Sequence, residues 1–144
     1  MGNLLGARYN NPNMYFDDKE MVDFRKVRNS VGFKHGIDKI INGISKGLNL
    51  CLMCSEKDPF DCHRFVLVSY ALVKRDVLIK HILENGDVIT NEALEDRLLS
   101  KYKIEYGNAM FFEATKTREE AMEEGYEKRN RDIGYVEADV ASIS

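Results

Sequence analysis

Positions 54 to 64 read Cys54-Ser55-Glu56-Lys57-Asp58-Pro59-Phe60-Asp61-Cys62-His63-Arg64, the densest run of reactive side chains in the chain. A thiol at a helix start and beside cations is biased toward thiolate, the form that attacks electrophiles and binds metals. An imidazole exchanges protons near neutral pH, and a guanidinium presents a planar fork suited to phosphate or carboxylate. Cys62, His63 and Glu56 are therefore candidate catalytic groups, and Arg64, Cys54 and Asp58 candidate ligand contacts. Three readings fit. In the first, which we adopt, the run binds a small anionic or nucleotide-like ligand, with or without catalysis, through Arg64, His63 and the N–H groups of a helix start. In the second, Cys54, Cys62 and His63 hold zinc, although the C-x7-C-H spacing matches no familiar zinc signature. In the third, Glu56, Asp58 and Arg64 lock a tight loop and both cysteines are small core residues. A phosphatase- or rhodanese-like anion loop is excluded, because ten positions, with Pro59 and three acids among them, separate Cys54 from Arg64. No metal is assigned, and no particular cofactor is implied.

The elements around this run must place it. Leu48-Asn49-Leu50-Cys51-Leu52-Met53 precedes it, and such near-continuous apolarity suits a strand buried on both faces of a parallel sheet. Cys51 then belongs to the core. Residues 65–73 are ambiguous by periodicity, and topology makes them a helix. Residues 77–82 read as a second strand, and parallel strands need a crossover. Asp61 is placed to cap that helix, and Pro59 to end the strand's exit loop. The expected architecture is α/β, built on a parallel β-α-β unit over 48–54, 62–75 and 77–82. Ligands bind at the carboxyl edge of such sheets. His81 falls at that edge and joins the candidate ligand contacts, with a satisfied structural histidine as the alternative.

The rest of the chain reads mainly as helix. A turn cluster at 10–13 leads to a short helix within 21–29. Phe33, Ile37, Ile40, Ile41 and Ile44 share one face of a helix over 32–46, and Gly47 stands where a left-handed cap is expected. Asn85-Gly86-Asp87 is a turn, after which Thr90 or Asn91 caps a helix through Lys103, with Leu94, Leu98, Leu99 and Tyr102 inward. Thr117-Arg118-Glu119-Glu120 is a capping box opening a last helix that Gly134 stops. Glu124–Lys128 and Glu127–Arg131 are ion pairs at the right spacing along it. Residues 1–135 are expected to form one domain, and 136–144 a disordered tail. Two strands are few for a sheet of this kind, where ~4–6 is usual, so an upstream segment or a homo-oligomer is expected to cover the exposed edge.

Composition narrows the class. The chain has 144 residues, 44% hydrophobic and 31% charged, which suits one globular core. A net charge of −3 gives no broad electrostatic reason for nucleic-acid binding; Arg25, Lys26 and Arg28 form a small basic cluster whose plain reading is a solvated helix face. No apolar run approaches the ~20 residues of a membrane span, and the N-terminus lacks a signal-peptide pattern. Cytoplasmic residence and reduced thiols are the expectation for the three cysteines, although Cys54 and Cys62 are close enough in sequence to meet.

The 52–64 segment resembles the domain-of-unknown-function family 488, whose pattern is an apolar strand, Cys-Ala-Glu-Lys-Asp-Pro, two variable residues and Cys-His-Arg. Ser55 stands where alanine is commoner. Leu5-Gly6-Ala7-Arg8 looks like the family's Leu-Gly-Gly-Arg, which adds Arg8 to the candidate ligand contacts. Asp23-Phe24 fits its usual place, Lys80-His81-Ile82 is similar to the second strand's ending, and the helix ending in Asn130-Arg131-Asp132-Ile133-Gly134-Tyr135 is similar to the tail of longer members. The family's opening strands and their Asp-Val-Arg ending have no counterpart here. The resemblance thus implies a three-layer Rossmann-like sheet lacking its N-terminal strands.

Overall fold

Short side chains that accept from free backbone N–H groups mark helix starts in this chain. The computed structural model, which describes residues 5–6, 12–18, 21–53, 56–107 and 116–134, puts helices at those caps. Asp23 accepts from the Arg25 N–H at 2.9 Å and opens α1 (Phe24–Arg28). Ser30 accepts from Phe33 and opens α2 (Val31–Ser45), whose Phe33, Ile37 and Ile40 are buried. Gly47 follows with φ +84°, the left-handed conformation that favours glycine. Arg64–Ser69 winds as a π-helix and runs directly into α3 (Tyr70–Val73). An antiparallel hairpin comes next, β1 (Lys80–Ile82) and β2 (Val88–Thr90), with His81 opposite Ile89. Thr90 caps α4 (Asn91–Lys101), and the Thr117–Glu120 capping box opens α5 (Arg118–Ile133).

The parallel β-α-β unit does not form. Residues 48–53 belong to no strand, and Leu48, Leu50, Cys51 and Met53 are exposed, Met53 at 92%. An apolar run is a strand only where a neighbour completes its hydrogen bonds, and among the described residues none pairs with this one. The second strand is shorter than expected and turns back on itself. Gly86 at φ +90° and an Asn85 side chain that accepts from the Asp87 N–H at 2.9 Å tighten the 85–87 turn. Antiparallel strands can be joined this way without any crossover. The protein is thus a mixed helix-and-sheet structure, and the Rossmann-like layering is corrected to helices around a two-stranded hairpin.

One cluster of buried side chains runs from Leu5 to Tyr126. Phe65, Val66, Leu67, Val68, Ser69 and Tyr70 are all buried, so residues 65–70 are enclosed on every side, which explains the apolar run from Phe65 to Val68. Cys51, expected in the core, is replaced there by this helix. Leu94, Leu98 and Leu99 of α4 face inward as expected, while Tyr102 is half-buried past the helix end. At Gly125 an added Cβ would stand 3.1 Å from the Leu98 side chain, so a glycine there lets α5 pack closely on α4. Glu124–Lys128 at 3.1 Å and Glu127–Arg131 at 3.8 Å form along α5. The 136–144 tail and Arg8 lie outside the described residues. No helix among the described residues is long and apolar enough to cross a membrane.

Helix α5 is tied to the first half of the chain by Asn130. This buried amide accepts from the Phe24 N–H at 2.8 Å and donates to the Val22 carbonyl at 2.9 Å. Asn130→Ala leaves both backbone groups unpaired in the core. The expected loss is about 2–3 kcal/mol in urea unfolding, against no loss for Asn42→Ala on the exposed face of α2; equal values for the two variants would contradict this role.

Candidate functional site

The 56–64 loop is shaped by its own short-range hydrogen bonds. Asp58 accepts from the Phe60 N–H at 2.9 Å and starts the tight 3-10 turn Pro59–Asp61, with Pro59 in the first position where a missing N–H costs nothing. Asp58 caps this turn, while the helix expected to be capped by Asp61 has His63 at its start and no side-chain cap. Asp61 instead pairs with Arg129 of α5 at 2.6 Å, and Asp58 pairs with Arg97 of α4 at 2.9 Å. Between the two ion pairs the buried Phe60 ring has the Arg97 guanidinium 4.2 Å and the Arg129 guanidinium 4.4 Å from its centroid. Arg129 also donates from Nε to the Phe60 carbonyl at 3.2 Å. Lys57 reaches the hairpin turn through Glu84 at 2.9 Å. The loop is held by cations supplied from two later helices.

Neither arginine belongs to the candidates read from the sequence. Their charges lie 39 and 68 positions from their partners, and nothing in local spacing marks them. Arg129, 6% exposed, carried one signal: it stands on the face of α5 that also bears Met122 and Tyr126, at helical spacing.

The loop brings together Glu56, Cys62, His63 and Arg64. Cys62 is buried and disulfide-bonded, so it is not the reduced thiol expected. Sulfur in a disulfide is neither an attacking thiolate nor a zinc ligand. It accepts instead from the Arg64 N–H at 3.4 Å. His63 is half-buried beside it, its Nδ1 3.8 Å from Cys62 Sγ. Glu56 is exposed, and its backbone carbonyl accepts from Arg64 Nη2 at 3.4 Å. Arg64 Nε is buried and makes no hydrogen bond to the described residues. The π-helix is anchored at this point, since Ser69 Oγ donates to the Arg64 carbonyl at 2.7 Å. Cys54 lies outside the described residues, and among those residues no cluster of three histidines, cysteines or acids could hold a metal.

His81 is built into the core. Its Nε2 lies 2.8 Å from Asn91 Oδ1, the first residue of α4, and its ring meets the edge of Phe65 at 5.9 Å. Phe65 in turn stacks on Phe60, so one aromatic chain joins the loop to the hairpin. Burial pulls the His81 pKa below its ordinary value; the Asn91 hydrogen bond opposes that shift, and the positive charge of Arg64 adds to it.

A π-helical turn behind a cation-pinned loop, set among helices and a two-stranded hairpin, is the frame that carries these residues. Residues 5–71 match the family described as Domain of unknown function DUF488. The matched segment spans the loop and the π-helix and stops inside α3. No curated protein and no solved structure matches the chain.

Two measurements check this description. Alkylation of the denatured, unreduced protein should label Cys51 and leave Cys62 unlabelled until a reductant is added; prompt labelling of Cys62 would show that it is a free thiol. A histidine whose folded pKa lies below its unfolded value keeps its contribution above the unfolded pKa and loses it as pH falls below that value. Unfolding free energy should therefore drop between about pH 7.5 and pH 5, and drop less in His81→Gln; identical slopes would show that His81 titrates normally.

Proposed function

We propose that the loop around Cys62-His63-Arg64 binds a small anion, such as inorganic phosphate or the phosphate of a nucleotide-like ligand, and that it does so without a cysteine nucleophile. The observation that carries this reading is the Arg64 guanidinium, whose buried Nε has no acceptor among the described residues. A buried donor left unpaired costs about 1–3 kcal/mol, more when charged, and a bound oxyanion would remove that cost. The surrounding charges favour it. Asp58 and Asp61 are occupied by Arg97 and Arg129, so the carboxylates nearest in sequence do not neutralise Arg64. His63 adjoins it as a second donor, and Glu56, exposed at the loop's entrance, is the group that would exchange a proton if the ligand reacts. The disulfide at Cys62 favours binding over covalent catalysis.

A second reading has its own support. The Asp58–Arg97 and Asp61–Arg129 pairs hold the loop as a fixed structural corner, and a corner needs no ligand. Thermal melting of the wild type, Arg64→Met and Arg64→Lys with phosphate, sulfate and AMP separates the two. Binding at a hundredfold excess over the dissociation constant adds ~2.7 kcal/mol, a rise of several degrees. The expected result is a rise with at least one of these anions, lost in Arg64→Met and partly kept in Arg64→Lys, with the unliganded Arg64→Met protein as stable as the wild type. No rise for the wild type, together with a destabilised Arg64→Met, would overturn ligand binding in favour of the structural corner.

A further inference from the structure

A separate cavity of about 670 Å³ opens between α1, α2, the end of α3 and α5, and it shares no residue with the 56–64 loop. Its apolar lining includes Phe33, Ile37 and Tyr70. The charges the helices supply around it are sorted by sign, with Asp23, the cap of α1, the exception on the basic side and Lys74 pairing with Glu123 at 3.6 Å. Arg25, Arg28, Lys34 and Lys74 come from α1, α2 and the end of α3, whereas Glu120, Glu123 and Glu127 come from α5. The basic cluster of α1, plain in the sequence, thus borders a cavity and is not merely a solvated face.

Two groups in the lining are left short of partners. The Arg28 guanidinium lies 4.5 Å from the Tyr70 ring centroid and donates to the Val66 carbonyl at 3.1 Å. Burial lowers its pKa to about 10, and no carboxylate among the described residues forms an ion pair with it. Asp23 is 2% exposed. Its Oδ1 accepts from the Arg25 N–H, but among the described residues its Oδ2 has no hydrogen bond, with Arg25 Nη2 at 3.7 Å. Among the described residues, one cavity therefore holds a half-buried cation that makes no ion pair, though it feels the charge of Asp23, and a buried carboxylate oxygen without a hydrogen-bond donor.

We propose that this cavity binds a small zwitterion with an apolar body, of the class of a free α-amino acid or dipeptide. Its carboxylate would meet Arg28, its ammonium Asp23 and the Glu123 side, and its apolar part Phe33 and Tyr70. A simple anion would gain Arg28 but face the carboxylates of α5, and a simple cation would face the arginines, so the sorted charges select a ligand that carries both. The volume falls within the ~300–1,000 Å³ of small-molecule sites. This site is independent of the phosphate reading above.

Isothermal titration of the full chain with L-phenylalanine and L-leucyl-L-phenylalanine, each compared with its N-acetylated and C-amidated forms, tests the proposal. At least one zwitterion should bind, and removing either charge should weaken it about tenfold or more, ~1.4 kcal/mol. Arg28→Met should weaken it similarly. Because Arg28 also holds the Val66 carbonyl, Glu123→Gln on the exposed rim is the second variant, and it too should lower affinity. Absence of binding by both zwitterions to folded protein, or equal affinity for an N-acetylated form, would overturn the proposal.

Discussion

A segment buried without a sheet has backbone N–H and C=O groups with no ladder to join, and each one left unpaired costs about 1–3 kcal/mol. This protein meets that constraint with two adjacent side chains of one helix. Asn130 bridges the Val22 carbonyl and the Phe24 N–H, while Arg129 takes the Phe60 carbonyl and the Asp61 carboxylate. Successive residues on a helix point about 100° apart, so a single turn of α5 reaches both the entry to α1 and the 56–64 loop. The position of α5 is therefore set by the needs of two remote segments. The surface ion pairs along it contribute little beside this.

The same constraint governs the loop. Its three carboxylates and two cations could have neutralised one another locally. Instead Asp58 and Asp61 are paired from α4 and α5, and a phenylalanine packed between the two guanidiniums fixes their spacing. Cation–aromatic contacts shielded from water, as that of the buried Arg129 is, exceed the ~0.5–1 kcal/mol of exposed ones, so the arrangement stiffens the loop. Among the described residues, the Arg64 side chain is left to donate to a backbone carbonyl at 3.4 Å. On the proposed reading, such a loop would have little left to reorganise on binding an anion.

The disulfide at Cys62 and the core position of His81 change what the reactive run can do. Both residue types invite a catalytic interpretation in a sequence. In the fold, one sulfur has lost its thiol and one imidazole is held beside Asn91 and the Phe65 edge. The chemistry that remains at the loop is that of Arg64, His63 and Glu56.

Local signals were legible in the chain itself. The Ser/Thr/Asp caps, the Thr117–Glu120 box, the left-handed Gly47, the 85–87 turn and the apolar stripes of α2 and α4 each depend on residues within a turn of one another, so their outcome follows from local geometry. The family could also be read, because its residues are contiguous. What the chain alone did not decide was pairing. Whether residues 48–53 form a strand depends on a neighbour's backbone, whether Asp61 caps a helix or meets Arg129 depends on a helix 68 positions away, and whether Cys62 is a thiol depends on a second sulfur. Such choices belong to tertiary structure, because a hydrogen bond, ion pair or disulfide needs two groups in one place, and sequence specifies only one of them at a time.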